Sequence, residues 1–365
     1  MTVATLGELG KLVEGLVRGP AQQLISNALP LKEVASDGCI TLVDKASSSD
    51  ALLTSGAVAA VVPVGFPETS FPVIEVCHPH LAFERIIQHL RPALVDVRQG
   101  VHIHAQVHPS ATIGPGVVIA AGVSVGAGCC VGAGTILHAG VHLMANCTLG
   151  EGCELYPGVV LYPDTRVGAR CLFHAGTVLG AYGFGYRTAQ GKHERCAQVG
   201  WVDVGDDVEM GACVTVDRGT YGPTRIGTGT KLDNHVMIGH NCQIGRHNLI
   251  CAQVGIAGSS STGDYVVLAG QVGIKDHTHL GDRVTIAAQS GIMHDIPSDQ
   301  VWSGTPAMPT KRHMLSVAAV TRLPEMRNDL RRMEVEAQRM QQQLIELRAL
   351  LSNNQDDLHS DQRAA

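Results

Sequence analysis

The sequence is short of aromatic and charged residues: Phe, Tyr and Trp make up 4% of 365 residues, and Asp, Glu, Lys and Arg 16%. It has no run of about 18 apolar residues. The best stretch, Ala57 to Phe66, is broken by Pro63, so no membrane span is expected. Basic residues do not dominate, since Lys+Arg 27 against Asp+Glu 33 leaves −6, which argues against a nucleic-acid binder. The N-terminus, MTVATLGELGKLVEG, offers no apolar signal core. Eleven cysteines contain no CxxC pair and no regular framework, so reduced thiols and a cytoplasmic location are expected. What the chain does have is glycine, 42 residues against an average of about 7%, without the three-residue period of collagen. Much glycine and few rings predict many short strands separated by tight turns.

A repeat accounts for the glycine. Stepping by six from Val101 to Leu179 meets fourteen apolar residues in succession, all aliphatic except Phe173. Glycine often follows, as at Gly114, Gly126, Gly132, Gly150, Gly168 and Gly180. Two residues before each aliphatic lies a small or β-branched residue, four of them cysteines (Cys129, Cys147, Cys153, Cys171), which read as small core residues. After a break the phase resumes at Val204, Met210 and Val216, and then runs from Ile226 to Ile292. This is the hexapeptide pattern of a parallel β-helix, three hexapeptides to an 18-residue triangular coil, with Gly or Asn expected at the corners. Roughly ten coils are expected; proteins of this type wind left-handed.

The period is absent from residues 1–98, where a helix over residues 6–13, a buried strand over Ala57–Val64 and an amphipathic helix over His80–Leu90 suggest a small α/β domain. The β-helix is expected over 99–297 and a helical extension over 298–352. There Met326, Leu330, Met333, Ala337, Met340, Leu344, Leu347 and Leu351 form a coiled-coil seam. Such a seam predicts self-association, as a trimer on a three-sided solenoid. A polar, disordered tail is expected over 353–365.

Chemistry in a regular solenoid is sought at its interruptions and polar corners. The excursion from Gly180 to Trp201 gathers Phe184 and Tyr186 beside Arg187, Lys192 and Arg195, as the wall of a groove would. Further on, His240 stands two residues past the inward Ile238, Gly258 follows one coil later, and His277 lies two coils and one residue on. With coils about 4.8 Å apart these form a short column, able to supply a general base and an N–H donor for an oxyanion.

These residues resemble the UDP-3-O-acylglucosamine N-acyltransferases, third-step enzymes of lipid A assembly. The likeness covers almost the whole chain. It runs through Thr5–Leu9 (TLGEL), Pro79–Arg85 (PHLAFER), Gly183–Tyr186 (GFGY), Val216–Gly219 (VDRG), Leu232–Asn234 (LDN), Ile238–Asn241 (IGHN), Ala257–Ser259 (AGS) and Ser303–Pro306 (SGTP). It implies transfer of an (R)-3-hydroxyacyl group from acyl carrier protein to the 2-amine of UDP-3-O-acyl-glucosamine. By the same likeness His240 is the base, Gly258 the oxyanion donor and His277 an assisting residue. Asp233, Asn234, Asn241, Phe184 and Tyr186 are the substrate-binding candidates. A homotrimer with sites between subunits is implied, with no metal or organic cofactor. Lys311, Arg312 and Arg322 are candidate contacts for the acidic carrier protein.

The chain departs from the family pattern at Gly38–Ser49 (GCITLVDKASSS). Leu42 stands where an aromatic that stacks on uracil is expected, and the Tyr of the following motif is missing. A paralogue acylating a different nucleotide sugar is therefore an alternative. His235 and His240, with His277, also raise a zinc enzyme of the γ-class carbonic anhydrase type, and a non-catalytic scaffold is a third possibility.

Overall fold

The computed structural model describes residues 2–34, 38–44, 52–92, 100–305 and 308–361, with side chains to 348. The chain divides into two compact units, Met1–Arg98 and Gln99–Ala365.

In the first unit, helix Leu6–Leu12 opens on a capping box. Thr5 Oγ1 accepts from Glu8 N–H, and Glu8 Oε2 from Thr5 N–H, at 2.7 Å. A five-stranded sheet has the order Leu16–Arg18, Val73–Val76, Ala59–Pro63, Cys39–Leu42, Asn27–Ala28; the last four strands are parallel and the first antiparallel. Ala59 to Val62 are wholly buried, as a continuous apolar run in a parallel strand requires. Helix Pro79–Leu90 begins with proline, whose missing N–H costs nothing there, and buries Ala82, Phe83, Ile86 and Leu90 against the sheet. Leu42 is half-buried at the end of its strand; residues 45–49, the rest of the segment that departs from the family pattern, lie outside the described residues.

The second unit is a left-handed parallel β-helix. Its three faces carry 11, 10 and 9 strands, so the expected ten or so coils become nine to eleven rungs according to the face. The first face starts at Gly100–Val101, the second at Gln106–Val107 and the third at Thr112–Ile113. Most strands are two residues long and pair in register with the next coil, as Val118 with Ile136 or Met237 with Gly255. The inward aliphatics from Ile119 to Ile292 form one continuous core.

The small residues two places before each aliphatic have a second task. Their hydroxyl or thiol donates to a corner carbonyl of the next coil that the ladder leaves free. Thr135 donates to Gly150 O at 3.0 Å, Cys153 to Gly168 O at 3.2 Å, Thr230 to Gly245 O at 2.9 Å and Ser260 to Lys275 O at 2.8 Å. The cysteines are thus structural donors; burial pushes the Cys242 thiol up to about 11.

Two recurring sets of glycine stand out in the repeat, and they do different work. Gly directly after the aliphatic is there for close stacking: a Cβ on Gly132 would stand 2.4 Å from the Gly150 carbonyl carbon of the next coil. The left-handed position lies two residues further on, as at Gly134 (φ +67°). The solenoid runs past the expected end at 297, because Val301–Trp302 pairs with Thr285–Ile286. Helices Thr310–Thr321 and Leu323–Asp361 follow, the second continuing beyond residue 352 into the segment expected to be disordered. No described helix is long and apolar enough to cross a membrane.

Candidate active site

The break in the repeat creates a site on the second face. Strand Val178–Ala181 carries an irregularity around Gly180 (φ +89°), after which the chain leaves the solenoid as the hairpin Tyr186–Ala189/Lys192–Arg195 and returns at Val202–Val204. The next coils of that face, Thr215–Asp217, Met237–Ile238, Gly255–Ile256 and Gly273–Ile274, present Gly255 and Gly273 outward, where a Cβ would meet nothing within 4 Å. Over them opens a cavity of about 760 Å³, whose lining includes Phe184, Asp217, Met237, His240, Gly258 and His277.

His240 is clamped between glycines. A Cβ on Gly183 would lie 2.6 Å from His240 Cβ, and one on Gly258 2.6 Å from Cε1 and 2.7 Å from Nε2. The ring therefore lies on the bare backbone of Gly258, with the excursion packed against its other side. Gly258 N–H donates to no group among the described residues. On the nine-stranded face three residues at the same repeat position are capped from the following coil: Arg246 by Asp264, Asp264 by Asp282, and Asp282 by Ser298. Asp276, the corresponding residue after Gly258, makes no such bond, so this donor is available to a ligand.

Asn241 fixes the ring. Its Oδ1 accepts from Thr220 N–H at 2.7 Å, which turns Nδ2 towards Thr220 Oγ1 (3.1 Å) and His240 Nδ1 (3.0 Å). These contacts hold the plane of the ring, with Nε2 over Gly258. The loop that supplies Thr220 needs Gly219, where a Cβ would fall 2.0 Å from Gly222 O and 3.0 Å from Asn241 Oδ1.

Asp217 is 6% exposed and makes no hydrogen bond or ion pair among the described residues. Burial pushes its carboxyl up to about 7. The adjacent Arg218 is engaged elsewhere, donating to Pro163 O at 2.7 Å and lying 5.8 Å from the Tyr182 ring, over which Arg195 stands at 4.9 Å.

Of the residues expected from the sequence, His240, Gly258, His277 and Phe184 line the cavity, and Asn241 stands behind His240. Tyr186 is exposed, edge-on to Phe184 at 5.0 Å, and outside the lining. Asp233 and Asn234 are not brought to the cavity of their own chain. They close the preceding corner, Asp233 accepting from Ala252 N–H at 3.1 Å and Asn234 from Ala212 N–H at 2.7 Å. His235 sits on that same corner, and the strand Met237–Ile238 separates it from His240. Lys311, Arg312 and Arg322 are exposed on the helical extension. Sequence reasoning gave no role to the outward glycines, although Gly255, Gly273 and Gly291 directly precede three successive inward isoleucines.

The sequence matches the bacterial transferase hexapeptide family (six repeats) over residues 104–139, 146–181 and 223–258. UDP-3-O-acylglucosamine N-acyltransferase 1 of Gloeobacter violaceus is 46% identical over 339 residues, 93% of this chain and 97% of its own length. The UDP-3-O-acylglucosamine N-acyltransferase of Methylacidiphilum infernorum is 47% identical over 90% of this chain and 93% of its own. That of Rhodopirellula baltica is 56% identical over 172 residues, 47% of this chain and 45% of its own length. Among solved structures, the Arabidopsis UDP-N-acetylglucosamine acyltransferase superposes with a TM-score of 0.52 at 25% identity, over 56% of this chain and 71% of its own.

Proposed function

Because the chain belongs to the UDP-3-O-acylglucosamine N-acyltransferase family, we propose that it moves an (R)-3-hydroxyacyl group from acyl carrier protein to the 2-amine of UDP-3-O-acyl-glucosamine. The observation that carries this reading is the His240 ring laid on Gly258, whose uncommitted N–H faces a cavity large enough for a thioester and an amino sugar. The amine adds to the thioester carbonyl while His240 takes one of its protons. Gly258 N–H receives the developing oxyanion, a donor of a kind whose removal elsewhere costs about 10²–10³ in rate. Collapse breaks the C–S bond, and the proton held by His240 passes to the departing sulfur. His277, at the rim, assists in holding the thioester arm, and Phe184 covers the entrance.

The protein acts as a cytoplasmic homotrimer. The exposed seam from Met326 to Leu347 supports this, and a neighbouring copy would bring Asp233, Asn234 and a second wall to the open side of the cavity. Acidic carrier protein docks on Lys311, Arg312 and Arg322. Leu42, half-buried where the family has a ring, supports a second reading in which the acceptor carries a different nucleotide; base stacking on an aromatic is worth about 1–3 kcal/mol.

Mass spectrometry of products from carrier-protein thioesters of several lengths, with UDP-3-O-acyl-glucosamine and other nucleotide amino sugars, tests donor and acceptor together. His240→Ala is expected to lower kcat by about 10²-fold or more. A rate like that of the unchanged protein would remove His240 from the mechanism.

A further inference from the structure

An amine that arrives as an ammonium has three N–H bonds, and the amide it becomes keeps one. Two protons must leave, and only one can end on the departing sulfur. His240 handles that one, so the chemistry calls for a second acceptor within the same cavity. The geometry points to Asp217: we propose that its carboxylate binds the acceptor ammonium and removes its first proton before attack. The inference rests on the acyl-transfer reading above.

Asp217 follows the inward Val216, at a place in the repeat where stacking elsewhere demands glycine, as at Gly132, Gly150 or Gly239. The irregular pairing of Leu179 and Ala181 with Val216 and Asp217 makes room for a larger side chain there. Val216 pairs with Ile238 on the next coil, so Asp217 stands over Gly239, the residue before His240, and both acid and imidazole line one cavity. The acid is more than nine-tenths buried with no partner in the described chain, an arrangement that a cationic ligand would satisfy. No cation among the described residues pairs with it. Arg218 is held by Pro163 O and Tyr182, Cys242 is a buried thiol pushed upwards partly by Asp217 itself, and Lys275, Asp276, His277 and His240 share the cavity lining without an ion pair to it. Burial places its titration near neutrality, where the carboxylate takes a proton from an ammonium and returns it to water.

The step balances. The ammonium N–H breaks and an O–H forms on Asp217, leaving a neutral amine. That amine forms the C–N bond, its second proton goes to His240 and on to sulfur, and Asp217 releases its proton to solvent after the product leaves.

The test is steady-state acyl transfer by the full-length protein and its Asp217→Asn variant, with UDP-3-O-acyl-glucosamine, from about pH 6 to about pH 9. Near pH 6 the variant is expected to lose about 10²-fold or more in kcat/KM for the acceptor. The deficit should shrink to about 10-fold or less near pH 9, where the acceptor already arrives uncharged. Calorimetry should show the amine binding the variant more weakly, and the N-acylated product binding both proteins alike. A deficit equal at both pH values, or equal weakening for amine and product, would overturn the inference in favour of a structural role. An unchanged variant beside an active unchanged protein would overturn it alone. An unchanged protein that is inactive towards this acceptor would overturn the functional reading and the inference with it.

Discussion

The coils before and after the excursion obey one repeat but fill its left-handed corners differently. Between residues 112 and 176 these corners hold eight glycines and three residues with side chains, Asn146, Asp164 and Arg170. Between 209 and 292 they hold one glycine, Gly229, and eleven residues with side chains, among them Asn241, Ser259 and His277. A non-glycine residue in that conformation costs about 1–2 kcal/mol, less for Asn. The later coils carry this cost repeatedly, and gain side chains that project from the corners. Gln271 donates to Gln253 at 2.7 Å and Gln289 to Gln271 at 2.8 Å, His247 stacks on Tyr265 at 5.1 Å, and Asn241 holds His240. The early coils are a plain support, whereas the later ones accept backbone strain where side chains are put to use.

The largest difference between the two stretches is expected from adding one methyl group to a glycine. Gly258 has ordinary backbone geometry, so alanine is compatible with its conformation, but the new Cβ would stand 2.6 Å from His240 Cε1. Gly258→Ala is expected to fold with an unchanged circular dichroism spectrum and to lose about 10²-fold or more in kcat, since displacing the ring by about 1 Å is enough for that. Gly134→Ala, in the early coils with open space around its Cβ, should leave kcat unchanged. Equal kcat values in the two variants would break the distinction between support and site.

The next effect concerns stability and pH. The early core contains no carboxylate, while the later coils bury Asp217 with its folded-state titration raised from the ordinary 3.8 to about 7. Below about pH 4 both folded and unfolded chains hold the proton and nothing is lost. From about pH 4 to 7 the unfolded chain gives it up first, so stability falls as pH rises, and above 7 the full penalty is present. Asp217→Asn should therefore stabilise the ligand-free protein by an amount that grows over that window to on the order of 2–4 kcal/mol. Thermal melts at about pH 4 and pH 8 check it: a gain at pH 8 only or mainly is expected, and a loss at pH 8 would mean the carboxylate has a partner.

Much of this was legible in the sequence because the repeat is strict. A six-residue step fixes which side chain points inward, and an 18-residue step fixes which residues stack, so His240 and Gly258 fall together by arithmetic alone and His277 one residue beyond the next step. The repeat does not say which corner faces which surface. Asp233 and Asn234 look as site-like as Asn241 in the sequence, yet they cap the backbone of a different corner. Nor does it separate the two sets of glycine, because close stacking at Gly132 and a left-handed turn at Gly134 leave the same letter. The isolation of Asp217 arises where the period breaks, from an irregular pairing and a buried arginine turned elsewhere, which periodicity cannot encode.

The smallest effect tests the left-handed corners themselves, with paired substitutions away from the cavity. Gly134→Ala places a Cβ at φ +67° in open space, so its only folded-state cost is conformational, about 1–2 kcal/mol, partly offset by about 0.4–1 kcal/mol from a stiffer unfolded chain. Cys213→Gly is the mirror change: Cys213 is exposed at φ 58°, and glycine relieves the strain while loosening the unfolded chain. The first should lower Tm and the second raise it, each by about 0.5–1 kcal/mol, with kcat unaltered in both. Shifts in the same direction would show that the later corners are not strained relative to the early ones. The side chains there would then be no burden that function has to justify.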